Sequence, residues 1–364
     1  MHVGYMSIFQ NPDRQRTDLE VYQNELRLAE LAEPMGYESV WAVEHHFTDY
    51  TMVPDVVQFL AYMAGRTKHV KLGSAVVVLP WHDPMRVAEE VAMLDNMTNG
   101  RMVLGIGRGL GRVEFDGFRI DMNESRARFV EYAQMILEGL EQGYCEFDGE
   151  FIKQPKRDIR PAPMKSFRGR TYAAAVSPES ASIMAKMGIG LLIVPQKAWA
   201  DHEREFKEYA QLYQEVNGTP APHPLVAGWT FVDKDAGRAE EMAYKYIGAY
   251  YDSVLKHYEF TKGHLKTTKG YEYYGGITRY LEKHGTDGAV RDFVNLHPWG
   301  TPEQVYEKIM KINGLVGHNG YMAVCSYSGM PWDEAERNMK LFAEEVAPEL
   351  RKVQVEKPQF AMSA

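Results

Sequence analysis

The sequence predicts an α/β protein folded as one (β/α)8 TIM barrel with insertions. Two observations carry this expectation. Short β-branched and apolar runs alternate with amphipathic segments, the pattern of a parallel sheet whose strands are joined by crossover helices. The rhythm completes eight strand–helix units within 364 residues, which favours a closed barrel over an open doubly wound sheet. No short-period repeat or low-complexity tract is present, which excludes a solenoid.

Taken in order, residues 3–9 read as a strand and 18–35 as an amphipathic helix. Leu19, Tyr22, Leu26, Ala29 and Ala32 recur at helical spacing, and Gly36 ends the helix. Residues 39–43 are a short strand and 53–65 a helix. The run 70–79 is β-branched and almost continuously apolar, as a strand buried on both faces must be. A helix over 84–97 has proline in its first turn. A strand at 102–106 and a long helix at 123–142 follow. The second half continues with strands at 171–176, 190–194, 225–232 and 321–325, and helices at 178–187, 200–217, 236–257, 301–312 and 332–346.

Composition narrows the function. Hydrophobic residues make up 45% and charged residues 25%, which excludes a disordered, collagenous or coiled-coil chain. The net charge is 41 − 50 = −9 with no Lys/Arg block, which argues against nucleic acid and anionic membrane as partners. The longest apolar run, 75–80, is far short of the ~20 residues of a membrane helix. The first residues, MHVGYMSIFQNPDRQ, lack the charged and apolar regions of a secretory leader. Cys145 and Cys325 fit no metal or disulfide spacing, and two free thiols suit a cytoplasmic protein.

Two stretches break the alternation. Residues 144–170, with Pro155, Pro161 and Pro163, read as an irregular excursion. Residues 259–298, containing TKGHLKTTKGYEYYGG, exceed the usual length of a connection. Glycines at 263, 270, 275 and 276 supply backbone freedom there, so this insertion is expected to be a mobile lid at the C-terminal rim. The expected organisation is therefore one domain, 1–350, followed by a tail, 351–364.

In a barrel, function sits where strands end at their C-terminal side. The residues there are Glu44, His45, His46 and Phe47 after the second strand, and Ser74 and Ala75 within the third. Gly107, Arg108, Gly109 and Leu110 follow the fourth, and Ser177, Pro178, Glu179 and Ser180 the fifth. Adjacent strand residues point to opposite faces, so the His45-His46 pair argues against a metal site, which wants two histidines one residue apart. One imidazole facing the pocket is a natural proton donor or acceptor. Arg108 lies among glycines that allow close approach to a ligand carboxylate or phosphate. The loop misses a nucleotide fingerprint, because Leu110 stands where the third glycine belongs. Ser177 and Pro178 open a helix whose free N–H groups make an anion site; Arg126 is a second candidate partner for the anion. Nucleophile-elbow, Walker and HExxH patterns are absent.

Several segments are similar to those of the bacterial luciferase-like family of flavin-dependent monooxygenases, especially the luciferase α subunit. They include VWAVEHHFTDY at 40–50, GSAVVVLPWHDPMRVAEEVAMLDNMTNGR at 73–101 and GIGRGLGRVEFDGFRIDMNESRA at 105–127. SPESASIMAKMG at 177–188, YYDSVLKHY at 250–258 and PWGTPEQV at 298–305 continue the match. The resemblance implies FMNH2 bound at the barrel rim, O2 adding to the flavin C4a carbon, and a peroxyflavin that oxygenates a small organic substrate. His45 matches the catalytic histidine, and Glu44 would shape the flavin pocket. Ser74 and Ala75 match a pair joined by a non-proline cis peptide under the ring, and Leu110 follows the loop beside it. Arg108, Arg126, Glu179 and Ser180 match the positions around the flavin phosphate. A separate flavin reductase and a homodimer packed through the second and third helices are implied in the same way.

Departures from the family pattern sharpen this. Gly107 replaces the reactive cysteine of luciferase α subunits, Ile183 replaces a hydroxyl residue at the phosphate, and Pro195-Gln196 stands where a tryptophan lines the luciferase pocket. A non-luminescent monooxygenase is the expectation. The alternatives are an F420-dependent oxidoreductase on the same barrel, and a non-catalytic partner subunit like the luciferase β chain. The latter lacks the long insertion that this chain retains.

Overall fold

Short polar side chains start six of the twelve α-helices among the described residues. Thr17, Asp55, Asp83, Ser177, Asp235 and Thr301 each accept a hydrogen bond from a backbone N–H three residues on, and prolines follow Asp83, Ser177 and Thr301 at the first helical position. The computed structural model describes residues 1–174 and 177–355. Within it, β1 (His2–Ser7), α1 (Asp18–Leu31), β2 (Ser39–Ala42), α2 (Val56–Arg66), β3 (Lys71–Ser74), β4 (Val77–Val78) and α3 (Pro84–Met97) build the first three units. Next come β5 (Met102–Gly107), α4 (Arg112–Phe118), α5 (Ser125–Gln142), β6 (Tyr144–Asp148) and β7 (Lys153–Asp158). The chain continues through β8 (Thr171–Ala174), α6 (Pro178–Lys186), β9 (Gly190–Ile193), α7 (Trp199–Asn217), β10 (Leu225–Trp229), β11 (Phe231–Val232) and α8 (Ala236–His257). It ends with α9 (Gly275–Leu296), β12 (Trp299–Gly300), α10 (Pro302–Val316), β13 (Gly320–Val324), α11 (Trp332–Leu341) and α12 (Ala347–Lys352).

The parallel sheet closes on itself. β1 pairs with both β2 and β13, and the ring continues through β3, β5, β8, β9 and β10. Counting β3 with its continuation β4, this is the eight-stranded barrel that the alternation predicts. Trp41 fills its lower interior. A Cβ at Gly73 would lie 2.2 Å from the indole and one at Gly4 3.0 Å from its nitrogen, so only glycine fits at either place.

The structure corrects several boundaries. The run 70–79 is not one strand: it breaks at a cis peptide between Ala75 and Val76. The excursion 144–170 contains an antiparallel hairpin, β6–β7. The insertion 259–298 is largely helical, with three short 3-10 turns leading into α9, which kinks at Gly285. Helix α4 was not expected at all, and the strand end at Ala175–Val176 lies outside the described residues. Both cysteines are buried and free. Among the described residues, no helix is long and apolar enough to cross a membrane.

Candidate active site

A cavity of about 1120 Å³, part of it open to solvent, sits at the C-terminal end of the barrel. Met6, Ile8 and Ala227 line it from the barrel interior, and Glu44, His45, Ala75, Val76, Arg108, Leu110 and Ser180 line its rim. Four of the strand ends singled out from sequence therefore converge here.

His45 faces the cavity and His46 does not. The Nδ1 of His45 lies 2.9 Å from Glu114 Oε1, and its Nε2 lies 3.4 Å from the Tyr258 hydroxyl. The same Glu114 oxygen accepts the His46 backbone N–H at 2.9 Å. Glu114 is fully buried at the start of α4. Burial alone would raise its carboxyl, but the charge of His45, its hydrogen bond and the nearby His257 imidazole outweigh this and hold it at about 2. Burial lowers His257 below the usual imidazole range, although Glu114 pulls it back. Its ring stacks on Tyr50 at 4.4 Å. The carboxylate on Nδ1 fixes the orientation of His45, whose Nε2 lies on the Tyr258 side.

Glu44 organises the opposite wall. Its Oε1 lies 3.1 Å from His46 Nε2 and 2.6 Å from His82 Nε2, and its Oε2 accepts the Val78 N–H at 2.8 Å. Burial pushes the Glu44 carboxyl up, and the two imidazole contacts more than offset this, so its net shift is downward. His46 is packed between Trp81 and Phe118, which explains how two adjacent histidines take separate roles.

The expected cis pair is displaced by one residue. The cis bond joins Ala75 and Val76, and Ser74 stays in the sheet. The Ser74 hydroxyl donates to Gly105 O at 2.9 Å and accepts from Gly105 N at 2.8 Å. Ser74 therefore stitches β3 to β5 behind the cavity, while Ala75 and Val76 form the surface. Val76 also accounts for Gly107: a Cβ there would lie 2.3 Å from Val76 Cγ2.

The cationic end joins three elements. Arg108 Nη1 and Arg126 Nη2 both donate to the Gly270 carbonyl, at 2.7 and 2.9 Å. Arg108 also lies over the Tyr271 ring at 3.8 Å, and the Tyr271 hydroxyl donates to Gly109 O at 2.8 Å. Arg126 pairs with Glu179 at 3.0 Å, yet its Nε is buried without a hydrogen-bond partner. Burial and the neighbouring Arg108 charge both push this guanidinium below its usual range. Ser180 lines the cavity at the start of α6, with its hydroxyl 2.9 Å from that of Ser177. Glu179 itself points largely to solvent.

The luciferase-like monooxygenase family profile matches residues 1–319. The chain belongs to this family. An alkanal monooxygenase alpha chain from Photorhabdus luminescens is 31% identical over 98% of each chain. The oxygenase component of a flavin-dependent trigonelline monooxygenase from Acinetobacter baylyi is 29% identical over 67% of this chain and 71% of that one. Among solved structures, the monooxygenase RslO1 from Streptomyces bottropensis superposes with a TM-score of 0.78 at 25% identity, covering 96% of this chain and 99% of that chain. The oxygenating constituent of 3,6-diketocamphane monooxygenase from Pseudomonas putida, in complex with FMN, superposes at 0.75 with 16% identity, covering 96% and 99%. This luciferase-like protein is thus an oxygenating enzyme of the monooxygenase class.

Sequence reading did not single out Glu114, His257, Tyr258, Tyr271 or Tyr274 as parts of the site. Glu114 and the His257-Tyr258 pair fall inside quoted family segments. Their signal was an acid and an imidazole next to other polar rim residues, on helix ends rather than strand ends.

Proposed function

We propose that this enzyme binds reduced FMN, delivered by a separate reductase, and oxygenates a small organic substrate in a two-component reaction. The observation that carries the reading is one cavity with a carboxylate-held histidine and Arg108 among its lining residues, with Arg126 beside Arg108 on the same Gly270 carbonyl. The residues fit a phosphate-bearing flavin. Arg126 Nε is buried and unpartnered, as a guanidinium awaiting an anion would be, and Ala75 and Val76 give the cavity an apolar surface.

Arg108, Arg126 and the Ser180 end of α6 would hold the phosphate, and Ala75 and Val76 would support the ring. The bound flavin supplies the electrons that activate O2. His45 Nε2 moves the proton that this chemistry needs, with Tyr258 as its hydroxyl partner. Glu114 remains an anion throughout and keeps Nδ1 occupied. The Gly270 carbonyl, which takes one N–H from each arginine, ties the 259–274 segment to the phosphate end, so that segment acts as the lid.

Substrate space adjoins the flavin cavity at Gln196, which lines both it and a second cavity of about 1570 Å³ including its open mouth. Stacked Tyr251 and Phe293, at 4.4 Å, with Ile277 and Leu296, give that cavity aromatic and apolar walls. It suits a flat organic compound. No thiol stands at Gly107, so light emission is not expected. Cytoplasmic location and homodimerisation complete the proposal. Retention of His45, Arg108 and the 259–298 insertion favours a catalytic chain over a partner subunit.

The test is stopped-flow absorbance of the protein premixed with FMNH2 and mixed with oxygenated buffer. A long-lived species distinct from reduced and oxidised flavin is expected, and His45→Ala should bind flavin but lose coupled oxygenation. Reoxidation indistinguishable from free flavin would overturn the proposal and turn attention to F420.

A further inference from the structure

Glu114 Oε2 and His257 Nε2 face each other at 3.6 Å, in side chains 0% and 1% exposed, and neither atom has a hydrogen-bond partner. Buried polar atoms without partners are rare. The separation is too long for a direct hydrogen bond. It is the spacing of two ligands that subtend about 120° at an ion roughly 2.0–2.1 Å from each. The third ligand atom is His45 Nδ1, which exchanges its 2.9 Å hydrogen bond with the other oxygen of the same carboxylate for the ion. One ligand atom from each of the three residues lies within 4.8 Å of the others.

Room for an ion is built in. A Cβ at Gly111 would lie 2.4 Å from Glu114 Oε2 and 3.1 Å from His257 Nε2, so the missing side chain leaves this gap open. The far nitrogen of each ring is also held, as in metal sites whose histidines are oriented from behind. His257 Nδ1 is 3.0 Å from the Thr48 hydroxyl, and His45 Nε2 is 3.4 Å from that of Tyr258. The other two-histidine carboxylate group, Glu44 with His46 and His82, lacks these features. None of its side-chain nitrogen or oxygen atoms is among those left unpartnered, whereas Glu114 Oε2 and His257 Nε2 are.

We propose that His45, Glu114 and His257 form a three-ligand site for a divalent transition cation of the Zn2+ class, and that occupancy silences the enzyme. One carboxylate and two imidazoles are a donor set such ions prefer. With Nδ1 of His45 on the ion, the ring's remaining proton sits on Nε2, and no lone pair faces the cavity to accept another. Binding rests on geometry alone; only its consequence for turnover rests on the proton role proposed for His45.

The test is titration of the flavin-free, full-length protein with Co2+, read by visible d–d absorbance, and with Zn2+ against a chromophoric chelator. One equivalent should bind with a tetrahedral-type cobalt spectrum. His257→Gln and Glu114→Gln should weaken it at least tenfold, Thr48→Ala by about tenfold, and His82→Gln not at all. Thr48 is partly exposed, so its variant keeps the test open if the buried ones fail to fold. Zn2+ should inhibit coupled turnover and EDTA should restore it. Absence of saturable binding, or binding lost in His82→Gln but kept in the His257 and Thr48 variants, would overturn the site. Stoichiometric binding without inhibition would overturn the silencing. Failure of the flavin reading would leave the cobalt titration unchanged, so the two failures are distinguishable.

Discussion

Gly107 is the position where a single methyl group has the most to report. It ends β5, and an added Cβ would lie 2.3 Å from Val76 Cγ2 and 3.4 Å from Val76 Cβ. Carbon atoms pack at about 3.5–4.0 Å, so Val76 would have to retreat by more than an ångström. A β-branched side chain has little rotamer freedom with which to do so. Overpacking of this kind costs about 1–3 kcal/mol. With an unfolding entropy of roughly 2.1 cal/mol/K per residue, that lowers the Tm of a chain this long by roughly 1–4 °C. In a Val76→Ala background the obstructing methyl is gone, and Gly107→Ala should then cost close to nothing. The assay is denaturation of the four proteins of this double-mutant cycle, with an expected coupling of about 1–3 kcal/mol. Equal costs in the two backgrounds would show that Val76 is not what requires glycine at 107.

Glu114 stabilises the fold as an anion. Its folded value, about 2, lies below its ordinary value of 4.5, so the contribution is fully present above about pH 4.5 and is lost as pH falls through 2. Linkage puts it at about 3 kcal/mol near neutrality, with about 2 kcal/mol gone by pH 3. The stability gap between wild type and Glu114→Gln should shrink by that amount between pH 7 and pH 3, and a constant gap would remove the carboxylate from this role. Asp95 is fully buried and pairs twice with Arg170, at 2.5 and 2.9 Å. Asp95→Ala should destabilise by about 3–5 kcal/mol in urea denaturation, and a loss below about 1 kcal/mol would refute this. Arg108→Ala should weaken FMNH2 binding by about 1.5–3 kcal/mol, a ten- to hundredfold change in anaerobic titration; an unchanged Kd would exclude a phosphate contact.

The sequence exposed elements whose ends carry their own chemistry. The bounds of α3 and α8 are those read from sequence, because Asp83 and Asp235 cap them and helical periodicity runs without interruption to their ends. The break between β3 and β4 left no trace, since no residue type marks a cis Ala–Val bond. Helix α4 has only seven residues, follows Gly111 and contains Gly117, too short for a periodic signal. Glycines at 275 and 276 read as hinges, yet they form the first turn of α9, whose later residues pack as Phe293 does on Tyr251. In the site, His45, Arg108 and Ser180 were legible because a barrel gathers its strand ends. Glu114 and His257 were not, because they reach His45 from helix ends, and sequence separation holds no record of that meeting.

The Gly270 carbonyl makes the chain its own competitor. Two guanidiniums from different elements share this one neutral acceptor, so any anion that binds them must first outbid a contact already made at zero translational cost. A small, singly held ion gains little beyond what it displaces. A dianion on a large organic body gains charge-assisted bonds to both arginines and the burial of its remaining surface as well. The measured affinity is the intrinsic one reduced by the fraction of molecules whose arginines are uncovered. On the proposed reading such a contact sets a threshold, favouring a ligand by the number of simultaneous attachments it can offer.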